Sequence, residues 1–442
     1  NTLIGGLAGD ALTEGNNNVV VGYTALGTDT KGDRNVAIGS AALATQNFTT
    51  STDSYNTAVG HNAGNAVTTG FYNSLIGGLS GAALIDADYN VAFGTNALRS
   101  DTYGSTSTAI GYAALTAQNF TTATNSYNTA VGMQAGTAVT TGTGNTLIGG
   151  LSGDALTTGN TNVAVGYGSL TTDTLGDRAV AIGYGALQTQ NFTTTTDNYN
   201  TGVGYAAGQS ITTGVQNTLI GGLAGDALST GGYNVAVGYN ALSTEDGNGL
   251  NVAIGLNALS DLNAGSDAYN VAVGSNAGTA MTTGVRNTIL GGNAADGLTT
   301  GSYNVAVGSF AIGTDDLGSY NTAVGYNSLA TQNYATATDS YNTTVGARSG
   351  ENLTTGINNT LLGGLAGDAL TDADQNVAVG GSALSTSVLG SKCVAVGYGA
   401  LATFNYQESS SNVAANAYNT AVGDNAGVAL TVGLNNTFIG GL

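Results

Sequence analysis

Apolar residues recur along the chain in one short figure: Asn, then Thr or Val, Ala or Leu, Val or Ile, and Gly. It reads Asn1-Thr-Leu-Ile-Gly5, Asn18-Val-Val-Val-Gly22, Asn35-Val-Ala-Ile-Gly39, and so on to Asn436-Thr-Phe-Ile-Gly440. There are 25 copies; Gly closes every one, the fourth position is always apolar, and Asn opens all but those at Ser107, Ala179 and Cys393. Most lie 17 residues apart. A fixed short period marks a solenoid, in which one turn cannot bury its apolar face alone. The predicted fold is all-β, a parallel β-solenoid (β-roll) of about 25 turns, mostly of 17 residues each. Strand alternation predicts positions two and four on one face, with the Val or Ile of position four toward the core. A second apolar patch near positions eight to twelve predicts a second short strand, joined to the first by Gly- and Asn-rich corners.

A longer period is superimposed. Equivalent turns begin at Asn1, Asn73, Asn145, Asn217, Asn287, Asn359 and Asn436. One continuous solenoid, 1–442, therefore divides into 72-residue four-turn modules: 1–72, 73–144, 145–216, 217–286, 287–358 and 359–435, with the start of a seventh at 436–442. The third turn of each module is longer. In five modules its insertion carries an aromatic, at Phe48, Phe120, Phe192, Tyr334 and Tyr406. Insertions in solenoids project as loops on one side, and loops carry function. Those five aromatics are the predicted binding residues. Asn1, Asn18, Asn35, Asn56 and Asn73 are expected to form a hydrogen-bonded ladder. Gly5, Gly22, Gly39, Gly60 and Gly77 are expected to supply the positive φ of its corners.

Composition sharpens this. The 442 residues include 71 Gly, no Pro, no Trp and 8% charged residues, with net charge −20. Gly at this density is incompatible with helix. So few Lys and Arg exclude phosphate-backbone binding to nucleic acid, and disfavour anionic membrane. No apolar run reaches the length of a membrane span. The chain opens in phase with the repeat and has no visible cap, which predicts the interior of a longer protein.

The figure, with versions such as Tyr55-Asn-Thr-Ala-Val-Gly60 and the spacer Thr68-Thr69-Gly70, resembles the head repeats of trimeric autotransporter adhesins and the shaft repeats of phage tail fibres. That resemblance implies a left-handed roll, three chains side by side, positions two and four inside each roll, and Ala37, Ala58 and Ala164 near the trimer axis.

Chemistry is sparse. One His (His61) and one Cys (Cys393) cannot build a zinc site or a His-based triad. Asp10, Asp154, Asp226 and Asp368 recur alone in a Gly-rich context, so no cofactor is expected beyond weak calcium. Asp29, Asp33, Asp173 and Asp177, beside Arg34 and Arg178, read as a solvated corner. Eleven of 22 tyrosines immediately precede a motif and eight follow its Gly, which predicts aromatic columns along the flanks, with sugar binding as the rival reading. The expected function is a non-enzymatic extracellular shaft or adhesin stalk on a cell or virion. The expected partner is the chain itself, as a homotrimer or an end-to-end filament, with a host-surface glycan or receptor as the alternative through the loops.

Overall fold

The computed structural model describes residues 1–406 and 414–441. The chain divides into two compact units, Asn1–Asn217 and Thr218–Leu442. Both are parallel β-solenoids, and no helix occurs among the described residues. The first unit holds twelve motif strands, from Thr2–Ile4 to Thr201–Val203. The second holds thirteen, from Thr218–Ile220 to Thr437–Ile439. Within each unit successive strands pair in register, as in Thr2↔Val19, Leu3↔Val20 and Ile4↔Val21, or Val235↔Val252, Ala236↔Ala253 and Val237↔Ile254.

Alternation holds, but its sense is opposite to the expectation. Position three faces the interior: Ala37, Ala58, Leu75 and Ala164 are fully buried. Positions two and four face outward, so that Val19, Ile38, Ile148 and Ile182 remain about 37–38% exposed. The alanines predicted at a trimer axis therefore line the coil itself. Ala fills the inward position in most turns, and the same row also takes the fully buried Val20, Leu75 and Ile289.

The second arm is not a strand. After the motif Gly the backbone alternates through the left-handed region, as at Gly39 (φ 132°), Ala41 (φ 56°) and Leu43 (φ 49°). Its N–H groups bond to neighbouring turns, Ala41 to the Tyr23 carbonyl (2.9 Å) and Leu43 to the Ala63 carbonyl (3.0 Å). Left-handed geometry is costly for Leu and Ala. The inter-turn bonds and the burial of Leu43 offset it.

Packing accounts for the four-turn period. Position three is Leu in most first turns, and position nine is Leu in most second and third turns; Gly occupies position nine in most first and fourth turns. A Cβ on Gly64 would lie 2.7 Å from Leu75 Cδ1 above and 3.0 Å from Leu43 Cδ2 below. Large and small side chains thus interlock through a thin core, and a module is the shortest repeat that closes the pattern.

The two predicted columns are present. A Cβ on Gly5 would lie 2.7 Å from the Gly22 carbonyl oxygen, so only Gly fits where adjacent turns touch. The Asn ladder joins side chain to backbone more than amide to amide. Asn1 Oδ1 accepts the Asn18 N–H (2.8 Å), and Asn18 Oδ1 accepts the Asn35 N–H (2.7 Å). Most Nδ2 groups reach across their own turn: Asn1 to the Gly15 carbonyl (2.7 Å), Asn56 to Gly70 (2.7 Å), Asn73 to Ala87 (2.7 Å).

Candidate functional site

Three features were candidates: the insertion loops, the isolated aspartates and the tyrosine columns. The insertion sits on a short pair of corner strands, Gly32–Asp33 with Thr52–Asp53 in the first module. Equivalent pairs follow in the second, third, fifth and sixth modules. Its aromatic turns inward. Phe48, Phe120, Phe192 and Tyr334 are only 5–6% exposed, and Tyr406 is half-buried. Tyr334 donates its hydroxyl to the Gly356 carbonyl (2.9 Å) inside the coil. The loops therefore do not present these rings as a binding surface. A longer turn encloses a wider cross-section, and the ring fills it. The exposed part of the loop is Thr- and Ser-rich, as at Thr49–Ser51 and Thr193–Thr195.

In the first and third modules the turn below the ring carries aspartates that the sequence reading placed in solvent. Asp29 and Asp173 are fully buried, and Asp33 and Asp177 nearly so. Asp29 Oδ1 accepts the N–H groups of Gly32 (3.0 Å) and Phe48 (3.1 Å), and Oδ2 accepts Gln46 Nε2 (2.7 Å). Gln46 Oε1 accepts Asn56 Nδ2 (2.9 Å), which also bonds to Gly70. A polar bridge thus crosses three turns. It recurs as Asp101–Gln118–Asn128, Asp173–Gln190–Asn200 and Asp315–Gln332–Asn342. Burial pushes the Asp173 carboxyl upward and the Asp315 carboxyl to about 6, against the donors that hold them. Arg34 and Arg178 pair instead with Asp53 and Asp197 at the surface. The signal available in the sequence was the repeated pairing of Asp at position twelve of the second turn with Gln at position twelve of the third.

The isolated aspartates stay isolated. Burial raises the carboxyls of Asp226 and Asp368, and Asp154 accepts a hydrogen bond from Thr171. No group of three metal-capable side chains forms among the described residues. In the second unit an open groove of about 420 Å³ brings Asp296 and Glu351 to one lining. Glu351 is occupied there by Arg348 (2.6 Å) and Asn327 (3.0 Å). His61 is an exposed corner residue, and Cys393 is buried, its thiol pushed up to about 11 by burial.

The tyrosines that precede motifs sit at left-handed positions, such as Tyr55 (φ 47°) and Tyr72 (φ 57°). Some stack in runs, and four cations join that column. Arg34, Arg178 and Lys392 lie 5.3–5.5 Å from the rings of Tyr55, Tyr199 and Tyr418, and Arg286 lies 5.5 Å from both Tyr269 and Tyr303. In the three stacked runs the inner ring faces are covered by neighbouring rings. What remains outward is the sheet face itself: Thr or Val at position two except for Ser74, and Val or Ile at position four except for Phe93, Leu290 and Leu362, with no charged residue at either position in any copy. Tyrosines bound that face at both strand ends. No protein-family model matches the chain, and no curated protein matches it.

Proposed function

We propose that the chain is a non-enzymatic structural shaft of an extracellular fibre, which spaces a binding tip from a cell or virion surface, and that copies lie side by side as a homotrimer. The observation that carries this reading is the outward sheet face. In the first unit twelve strands about 4.8 Å apart and some 10 Å wide present an uncharged face of roughly 500–600 Å². Its position-four row is apolar throughout, while position two is Val, Thr or Ser. A second copy with the same 17-residue period matches it turn for turn. Uniform repetition also supports a load-bearing rather than a catalytic role, because each turn contacts only its neighbours.

Native mass spectrometry tests the association. Three chains per particle are expected. The double variant Ile148→Lys/Ile182→Lys places two charges on the outward face and should shift the mass toward one chain with an unchanged β-type circular dichroism spectrum. A monomeric wild-type protein, or a variant that remains trimeric, overturns the reading.

A further inference from the structure

Nine tyrosines form three stacked runs, one ring per turn. Tyr55, Tyr72 and Tyr89 have ring centroids 5.4 and 5.2 Å apart with planes within 10°. In the other flank column Tyr167, Tyr184 and Tyr205 stack at 5.7 and 5.5 Å within 18°. In the second unit Tyr303, Tyr320 and Tyr341 stack at 4.8 and 5.1 Å within 19°. All nine rings are exposed, by 39–61%. Tyrosines elsewhere in the same columns have no ring neighbour: Tyr127 lies between Thr106 and Gly144, and Tyr239 between Gly222 and Leu256.

The rest of the chain offers an oxidant little else. It contains no Trp; its one Cys and Met281 are fully buried, leaving Met133 as the exposed sulfur. An electron lost at the surface is therefore lost mainly from tyrosine. In a stacked run a phenoxyl radical already has its coupling partner beside it. Ring centroids 4.8–5.7 Å apart on adjacent turns are held there by the backbone, so coupling of two radicals in one run is unimolecular.

We propose that these runs are sites of oxidative modification, at which neighbouring turns are stapled by dityrosine bonds. The oxidant is hydrogen peroxide acting through a haem peroxidase. Each of two tyrosines gives up one electron and its phenolic proton, and one peroxide is reduced to two waters. The two phenoxyl radicals pair their unpaired electrons in a single ortho–ortho carbon–carbon bond. The ring hydrogens at those carbons then shift to the oxygens, which restores both phenols, so the product is lighter by two hydrogens. A staple between Tyr72 and Tyr89, or Tyr303 and Tyr320, closes one 17-residue turn covalently and prevents adjacent turns from separating.

A mixture of isotopically light and heavy chains, treated with peroxidase and peroxide and mapped by peptide mass spectrometry, tests this. Links are expected within light or within heavy chains, joining peptides of the three runs at a yield that does not fall on dilution. Tyr320→Phe keeps a stacked ring but removes a phenol; links should vanish from its run and persist in the other two. Predominantly light–heavy links, links centred on Tyr127 or Tyr239, or an undiminished yield in the run of Tyr320→Phe overturns the proposal. Because mixed-label links report association separately, the outcome is independent of whether copies pair.

Discussion

The long turns of the fifth and sixth modules rest on equivalent corner strands but fill the same two inward positions in different ways. In the fifth, Asp315 and Gln332 fill the space under the insertion with a hydrogen-bonded bridge (2.7 Å) that runs on to Asn342 (3.1 Å). In the sixth, the same two positions are Ser387 and Phe404. The Phe404 ring is fully buried, and its Cε1 lies 2.6 Å from where a Cβ on Gly390 would be. Ser387 Oγ has no partner. The frame tolerates a polar bridge or an aromatic plug and, at the same two positions in the fourth module, whose third turn is shorter, a buried Glu245 with Leu262. The Glu245 carboxylate takes Asn248 and the Ala264 N–H as donors. Under the full insertion of the fifth module a hybrid would leave a carboxylate without its amide.

Breaking that pairing should give the largest effect. Gln332→Leu strips Asp315 of a donor inside the coil and is expected to cost about 3 kcal/mol, the upper scale of a hydrogen bond to a buried charged group. Adding Asp315→Ser should recover a large part of it, a coupling of about 1–3 kcal/mol in a double-mutant cycle measured by denaturant unfolding. Strict additivity of the two substitutions would show that the positions are independent and that the module comparison misleads.

The comparison also predicts opposite responses to pH. Burial holds the folded pKa of Asp315 at about 6, above its unfolded value of about 3.8. Between those values the folded chain binds more protons than the unfolded one, so stability falls as pH rises through that window and is flat above it. The effect should be about 2 kcal/mol and local to the fifth module. Ser387 does not titrate, so the long turn of the sixth should show no such slope. Hydrogen exchange of the two long turns in one molecule, followed from pH 4 to 7, checks this. Asp315→Asn should flatten the fifth whatever its own cost.

How far the sequence carried the structure follows from the same physics. Turn length, parallel register and the module were legible because motif spacing is imposed by backbone pairing, and backbone pairing is blind to side chains. The inward face was not. Ile38 and Val59 look like core residues and Ala37 and Ala58 like surface residues, whereas the coil buries the alanines. The second arm was illegible because Leu26 and Leu43 adopt a left-handed conformation (φ 46° and 49°) that their type disfavours. Within the candidate site the loop aromatics were located correctly along the chain but placed on the wrong side of the loop. Asp29 was misjudged because a carboxylate is ordinarily solvated, and only its recurrent pairing with Gln46 argued otherwise.

The smallest expected effect concerns the three copies that lack the opening Asn. Ser107, Ala179 and Cys393 all begin long turns, and in two long turns that keep Asn its amide nitrogen is idle. Asn35 Nδ2 and Asn321 Nδ2 have no partner, as is also true of Asn376 Nδ2 in a 17-residue turn, whereas Asn56 Nδ2 finds the Gly70 carbonyl (2.7 Å). The ladder oxygen can also be supplied from elsewhere. Above Ala179 it comes from Asn198, whose Oδ1 accepts the Asn200 N–H (2.9 Å) while its Nδ2 donates to the Asp177 carbonyl (2.7 Å). Asn35→Ser should cost about 1 kcal/mol: its Nδ2 is already unpaired, and the loss is that of Oδ1, which accepts Ser54 Oγ (2.9 Å) and the Asn56 N–H (3.1 Å). The same change at Asn56, which serves both Gln46 and Gly70, should cost about 2 kcal/mol. Equal costs at the two positions would mean that the ladder acts through shape alone, and the exchange of Asn for Ser, Ala and Cys at long turns would need another cause.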